Sequence, residues 1–434
     1  MKSALPKVLH EIAGVAMLAH VMEAAQASGL SDTALVIAPG MSAVEETARG
    51  LEPNVQLFVQ DTQLGTAHAV LSARAALEEF TGDVVILYGD TPLIRPETLT
   101  QIRSALKDGA DLAVLGFEAE DPTGYGRLIT DKMGALIAVR EEKDANPEER
   151  AVTLCNSGVF AFRSENLLSL LDRIGNDNAK GEYYLTDAVE LAHGERLSTT
   201  VVICEEREVM GVNSKVQLAA AEAEVQARLR VQAMEDGATL IAPETVFLAK
   251  DTKFGRDVIV EPNVVFGPGV TVEEGARIRS FSHLEGAHVG KGAIVGPFAR
   301  LRPGTDLGPE VRVGNFVEVK NARMEDGSKA NHLAYVGDTR VGAKANLGAG
   351  TITCNYDGFE KHHTDIGQGA FVGSNTALVA PVKIGDGAFI GSGSVISKDV
   401  PADALAVTRG TLDQRDGWAA KVRARRARSS GNKK

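Results

Sequence analysis

Two cations stand where a repeating chain asks for small residues. A small or β-branched residue returns every six positions, at Ala287, Ala293, Ala299, Thr305, Val311 and Val317. Three places after each comes a corner residue, which is Gly290, Gly296, Gly308 or Gly314 in four cases but Arg302 and Lys320 in the others. If three hexads close one triangular coil, those two side chains lie one coil apart, at the roughly 5 Å spacing of adjacent strands. Like charges at that range repel, so the pair gains nothing unless an anion lies between or beside it. Pro303 and Gly304 hold the turn after Arg302, and His332 and Tyr335 follow within another coil. An imidazole can accept a proton near neutral pH. Solvated corners also tolerate long polar side chains, and a lone histidine also serves structural roles, so the pattern by itself leaves both readings open.

The elements that must carry these groups follow from the same beat. It runs from about Val258 to Val400, with a later stretch at Thr364, Ala370, Thr376, Val382, Ala388, Ser394 and Val400, and specifies a solenoid of short strands and tight corners. It slips between Ser282 and Ala287, again through Asn321 to Tyr335, and a third time where thirteen residues separate Thr351 from Thr364. Insertions in solenoids project functional loops, so chemistry is expected at the irregular segments.

Upstream, residues 1–213 read as α/β. Strands are expected at Thr33 to Ile37, Asp83 to Leu87, Leu112 to Phe117, Ala135 to Val139, Val159 to Phe162 and Thr199 to Ile203. Helices are expected at Met17 to Ala27, Ala67 to Phe80 and Leu99 to Lys107. That layout predicts an open, largely parallel sheet with a crevice above its carboxyl edge. Residues 214–236, rich in Ala, Glu, Gln and Arg, predict a connecting helix; residues 237–412 carry the solenoid and 413–434 a basic tail.

A chain of 434 residues has room for two or three cores without staples. Its three cysteines, Cys155, Cys204 and Cys354, lack paired ligand spacing and suggest neither a disulfide framework nor a thiolate metal site. The net charge of −12 argues against nucleic acid as the principal ligand. No signal peptide or membrane-length apolar run is evident, so a cytoplasmic protein without stable membrane insertion is expected.

From Met1 to about Trp418 the chain resembles the family of bacterial bifunctional N-acetylglucosamine-1-phosphate uridyltransferases and glucosamine-1-phosphate N-acetyltransferases. The resemblance rests on LPKVLH (Leu5 to His10), QLGTAHA (Gln63 to Ala69), YGDTPL (Tyr88 to Leu93), DPTGYGR (Asp121 to Arg127) and GEYYLTD (Gly181 to Asp187). It continues in GPFARLRPG (Gly296 to Gly304), GNFVEVK (Gly314 to Lys320) and GAGTITCNYDG (Gly348 to Gly358). One glycine-rich run would be weak evidence; an ordered series is strong. The resemblance implies an α/β nucleotidyltransferase-like, Rossmann-like domain followed by a left-handed parallel β-helix. It also implies a homotrimer with active sites between neighbouring prisms, and the synthesis of UDP-N-acetylglucosamine from sugar phosphate, acetyl-CoA and UTP.

For acetyl transfer, the resemblance makes His332 the general base. Arg302 and Lys320 then cover the phosphate, with Tyr335, Asn346 and Lys361 as further sugar-phosphate contacts. Asn355 and Tyr356 would lie close to the sugar and acetyl donor, and Ser374, Ser392 and Arg409 match acetyl-CoA contacts. Lys361, in the insertion, would reach a neighbour's cleft. Asparagines at 346 and 355 also suit solenoid turns, which need not exclude ligand contact. His362 and His363 are expected to be exposed loop residues.

For uridylyl transfer, the resemblance makes Asp90 and Asn213 ligands of Mg²⁺, Gln60, Gly65 and Thr66 nucleotide contacts, and Lys7 a phosphate contact. Gly126, Glu141 and Asn156 match the sugar pocket, which Tyr183 and Tyr184 would line or merely pack against. Taken alone, Asp90 could equally cap the turn after Gly89. The family begins with a strand and a glycine-rich phosphate loop, LAAGxGTRM, and this sequence starts at the last methionine of that motif. Either the natural start lies upstream and the protein is fully bifunctional, or a protein starting at Met1 loses uridylyl transfer and leaves a strand-edge vacancy. Rival readings are a single-activity nucleotidyltransferase, a serine-type acyltransferase and a non-enzymatic scaffold. None of them explains Arg302, Lys320, His332, the NYDG segment and the α/β half together.

Overall fold

The computed structural model describes residues 1–408 and 410–431, with side chains as far as Arg425. Two compact units emerge. One comprises Met1–Val231 with Leu248–Lys250, the other Gln232–Phe247 with the chain from Asp251 onward.

In the first unit, Leu112–Glu118 is buried on both faces over its first six residues, as a central strand must be when helices cover each side. Leu112 and Val114 pack with Phe160, Phe162, Leu167 and Leu170 on one face. Ala113 and Leu115 pack with Leu99, Ile102 and Leu106 on the other, the last three from the helix Pro96–Lys107. Thr199–Ile203 pairs parallel to this strand on one side. Leu154–Arg163 runs antiparallel to it on the other, and its far flank is shared by Asp83–Ile86 and Arg127–Thr130.

The largely parallel sheet expected from sequence is therefore mixed. Between Leu112–Glu118 and Leu154–Arg163 the chain forms the hairpin Arg127–Thr130/Leu136–Arg140 and one helical turn, Pro147–Arg150. No crossover helix intervenes to carry the chain back to the starting end of the strand, so the next strand returns antiparallel. Ala34–Ile37 and Gln56–Val59 make a separate parallel pair. The helix expected over Ala67 to Phe80 is divided at Ala73 into Thr66–Ser72 and Arg74–Glu78.

The second unit is a triangular parallel β-helix. Strands of two to seven residues stack into a ten-stranded sheet forming one face and a fourteen-stranded sheet covering the other two. The latter is continuous because Glu318–Met324 and Tyr335–Val341 run through a corner. The six-residue beat is the core itself: Ala293, Val311, Thr364, Ala388 and Ser394 are fully enclosed, and the rest of the predicted inward set is buried with them. Most coils take 17 or 18 residues, as in Arg312↔Lys329 and Ile294↔Arg312. The insertion lengthens one coil, so that Asn346 pairs with Phe371.

Every departure from six falls on one corner. Successive buried residues there are Ser282 and Ala287, Val317 and Ala322, Ala334 and Thr339, then Thr351 and Thr364. The other two corners keep the beat. Where a turn loses a residue, the one that makes it takes a positive φ, at Gly286, Asn321 and Asp338. Asparagine and aspartate tolerate that conformation better than other non-glycine residues.

Candidate functional site

The irregular corner of the β-helix carries the cations. Strand pairing places Arg300 opposite Glu318 and Leu301 opposite Val319, and so sets Arg302 beside Lys320 on the next coil. Lys320 in turn lies level with Gly337. Arg302 Nη1 donates to Glu318 Oε1 at 2.8 Å, which fixes the guanidinium along the corner. The insertion folds back through a bridge between Tyr356 and Lys361, and Lys361 comes to rest against Lys320. That neighbour, followed by slight burial and Arg302, holds the Lys320 ammonium below its ordinary pKa. Three cations thus converge on this corner within one chain. Like charges at such range repel, and an anion between them would relieve that repulsion.

A second acid at this corner, beside Glu318, is Asp338, which the sequence reading passed over. Its Oδ1 accepts from Asn321 Nδ2 at 2.6 Å and its Oδ2 accepts from Asn355 Nδ2. Partial burial opposes ionisation, but the two amides together with Lys320 and Lys361 hold the carboxyl below its usual range. Asn355 is buried, and its amide also approaches Tyr335 Oη at 3.5 Å. The Tyr335 ring lies across Gly337, where a Cβ would come within 2.4 Å of the phenol oxygen. Tyr356 is exposed and donates to Gly358 O at 2.6 Å.

His332 stands at the adjacent corner, one face away past Tyr335. It pairs in register with Asn315, and its Nδ1 lies 2.7 Å from Asn315 Oδ1. An amide oxygen only accepts, so with this orientation Nδ1 carries the proton and Nε2 presents its lone pair. Asn315 is a second residue the sequence reading missed, although it lies within GNFVEVK. Its signal was the coil length that stacks it beneath His332.

Ala330, Leu347, Val372 and Ile390 pair coil upon coil. Two residues beyond them lie His332, Ala349, Ser374 and Ser392, a single edge of the prism. Asn346 belongs to the face of Lys329 and Phe371, and within one chain it is not brought to the cationic corner. His363 is exposed as expected; His362 is instead half-buried and contacts Asp357 Oδ2 at 2.8 Å. Arg409 lies outside the described residues.

A second constellation occupies the α/β unit. Asp90, just past the strand Asp83–Ile86, and Asn213 both direct oxygens at one point, where the Lys7 ammonium sits. Asn213 Oδ1 accepts from Lys7 Nζ at 2.8 Å. Among the described residues no group of three or more His, Cys, Asp or Glu gathers as a metal cage. A carboxylate and an amide oxygen converging on a cation nevertheless match the hard-oxygen donor set of Mg²⁺, which keeps several ligands for water and substrate.

Gly126, Glu141 and Asn156 lie side by side in the same unit. Asn156 N donates to Gly126 O at 2.8 Å, and Glu141 Oε1 faces Gly126. Burial, with Asp144 and Asp187 nearby, pushes the Glu141 carboxyl up despite Lys180. Gln60 Nε2 donates to Gly65 O at 3.2 Å, and Thr66 Oγ1 accepts from Leu185 N at 2.9 Å. Gly65 has a φ of 121°, and a Cβ there would meet Tyr183 O at 2.5 Å. Tyr183 therefore packs under the Gln63 to Ala69 loop, while Tyr184 is buried. Tyr88 lies against Gly158, with its phenol pushed up to about 12 by burial, and Thr66 works against that shift.

Comparison with known proteins agrees with this division. Residues 1–152 match the MobA-like NTP transferase domain, and residues 363–398 match the bacterial transferase hexapeptide (six repeats). The bifunctional protein GlmU of Azorhizobium caulinodans is 62% identical over 428 residues, covering 99% of this chain and 95% of that protein. That of Xanthobacter autotrophicus is 58% identical over 431 residues, covering 99% and 96%. That of a Bradyrhizobium species is 57% identical over 423 residues, covering 98% and 94%.

Proposed function

Because the chain belongs to the family of bifunctional GlmU proteins, we infer that it is both an acetyltransferase and a uridylyltransferase, N-acetylating glucosamine 1-phosphate and then transferring the uridylyl group of UTP to the product's phosphate with release of pyrophosphate. The observation that carries the acetyl-transfer half is the three-cation corner of Arg302, Lys320 and Lys361, one prism face from a histidine whose Nε2 is free to accept.

In that half, Arg302 grips phosphate oxygens with its planar fork while the two lysines act as point charges. His332 Nε2 takes the proton from the sugar amine as its nitrogen attacks the thioester carbonyl. The new C–N bond forms, the C–S bond breaks, and the proton passes to the leaving thiolate. Asn315 fixes the tautomer that makes this possible, and Tyr335 and Asn355 border the sugar between the two corners. Acetyl-CoA runs along the edge of Ser374 and Ser392, a groove contacted through shape and backbone groups, with Arg409 assigned to its phosphate end. A homotrimer completes this groove and brings Asn346 to the site from outside the single chain. It is supported by the ladder Phe281, Phe298 and Phe316, stacked at 4.9 and 5.2 Å and continued by Leu333 along the His332 edge. All four side chains are about half exposed, and such apolar patches mark interaction surfaces.

In the uridylyl half, Asp90 and Asn213 would hold Mg²⁺, which would neutralise phosphate charge when bound. Lys7, already between them, contacts phosphate. Gln60, Gly65 and Thr66 hold the nucleotide, and Gly126, Glu141 and Asn156 hold the sugar.

Product analysis of both half-reactions tests the assignment. His332→Ala should lose acetylation and keep uridylyl transfer, and Asp90→Ala should do the reverse. Equal losses in both assays would count against two separate sites. Absence of thiol release from acetyl-CoA with glucosamine 1-phosphate would favour a scaffold.

A further inference from the structure

We propose that Asp338 is a positioning residue for acetyl transfer, setting the charge of the cationic corner and anchoring the loop that carries Lys361. The inference rests on the acetyl-transfer reading given above. Asp338 occupies the corner with a φ of 47°, a conformation an acidic side chain tolerates when the chain fixes it. Its two oxygens are held by different coils, one below through Asn321 and one above through Asn355. Asn355 in turn receives His362 N on its carbonyl at 2.8 Å, and the segment between them contains the Tyr356–Lys361 bridge. The carboxylate thus ties down the root of the loop that delivers the third cation.

The groups facing Asp338 are Lys320 and Lys361, with Arg302 one coil beyond and already paired to Glu318. Without a bound anion, Asp338 is a carboxylate that opposes the mutual repulsion of Lys320 and Lys361. Removing its charge while keeping its shape leaves the repulsion among Lys320, Lys361 and Arg302 without that carboxylate to oppose it. Lys320 should then lose its proton at lower pH, and the root of the loop should loosen.

The test compares Asp338→Asn with Asp338→Glu in the full chain, using inorganic phosphate as the probe in calorimetry and thiol release for turnover. The asparagine variant should move the alkaline limb of phosphate binding to lower pH by about one unit and lower kcat about tenfold, with the KM for the sugar phosphate at neutral pH not raised. The glutamate variant, which keeps the charge but displaces it, should lower kcat while leaving the alkaline limb in place. If the asparagine variant does not fold, the glutamate variant decides: a parental kcat overturns the proposal. An asparagine variant with an unshifted limb, or with a raised KM and a parental kcat, also overturns it. Failure of the parent protein to acetylate at all would instead overturn the acetyl-transfer reading, because phosphate binding and its pH limb are read without turnover.

Discussion

The chemistry turns on which lone pair His332 offers. With Nδ1 held by Asn315 Oδ1 at 2.7 Å, the ring is fixed in one tautomer. Asn315→Ala should therefore lower kcat for acetyl transfer about tenfold with little change in KM, because orientation of a base acts in the transition state. A raised KM at parental kcat would show that Asn315 contacts substrate instead. In the other unit, Glu141 has its carboxyl pushed up by burial first, then by Asp144 and Asp187. A carboxyl raised in the folded state contributes stability below its unfolded pKa and loses it as pH rises through the folded value. Glu141→Gln should consequently flatten the fall in that unit's thermal stability above the ordinary carboxylate range, and an unchanged pH profile would refute the cause given for the shift.

Among the elements, the β-helix was the more legible half. Its inward residues announce themselves by spacing, and burial of Ala287 through Val317 and of Thr364 through Val400 follows the beat residue by residue. What the beat could not give is the location of its irregularities on a single corner, because that depends on how many residues each coil takes. Asp338 and Asn315 were hidden for the same reason, as their partners lie a coil away. The α/β unit was harder, since a strand buried on both faces, such as Leu112–Glu118, has no alternation to read. Nothing local to Leu154–Arg163 marks its direction either. Corner packing offers a direct check. A Cβ on Gly314 would fall 1.8 Å from Asn331 O, so Gly314→Ala should cost about 1–3 kcal/mol by overpacking, whereas a neutral result in denaturant unfolding would contradict the stacking. His288 gives a pH test on another face, between Asp306 Oδ1 at 2.9 Å and Glu273 Oε1 at 3.2 Å. Partial burial opposes its protonation, but the two carboxylates raise its pKa above 6.5. Their stabilisation is present below that value and lost as pH rises through the folded pKa, so His288→Gln should abolish that step in the melting profile.

At the scale of the whole molecule, two compact units each carry their own cluster of polar groups, and among the described residues no helix is long and apolar enough to cross a membrane. If copies assemble along the Phe281 to Leu333 ladder, Phe298→Glu should lower the mass seen in sedimentation and reduce acetyl transfer while sparing uridylyl transfer; an unchanged mass would place the interface elsewhere. The central claim is that the corner of Arg302, Lys320 and Lys361 recognises the sugar's phosphate. Its most direct measurement compares thiol release from acetyl-CoA with glucosamine 1-phosphate and with glucosamine, for the parent and for Lys320→Ala. The parent should prefer the phosphorylated sugar strongly and the variant should lose most of that preference through kcat/KM. A preference that survives intact in the variant would contradict the account.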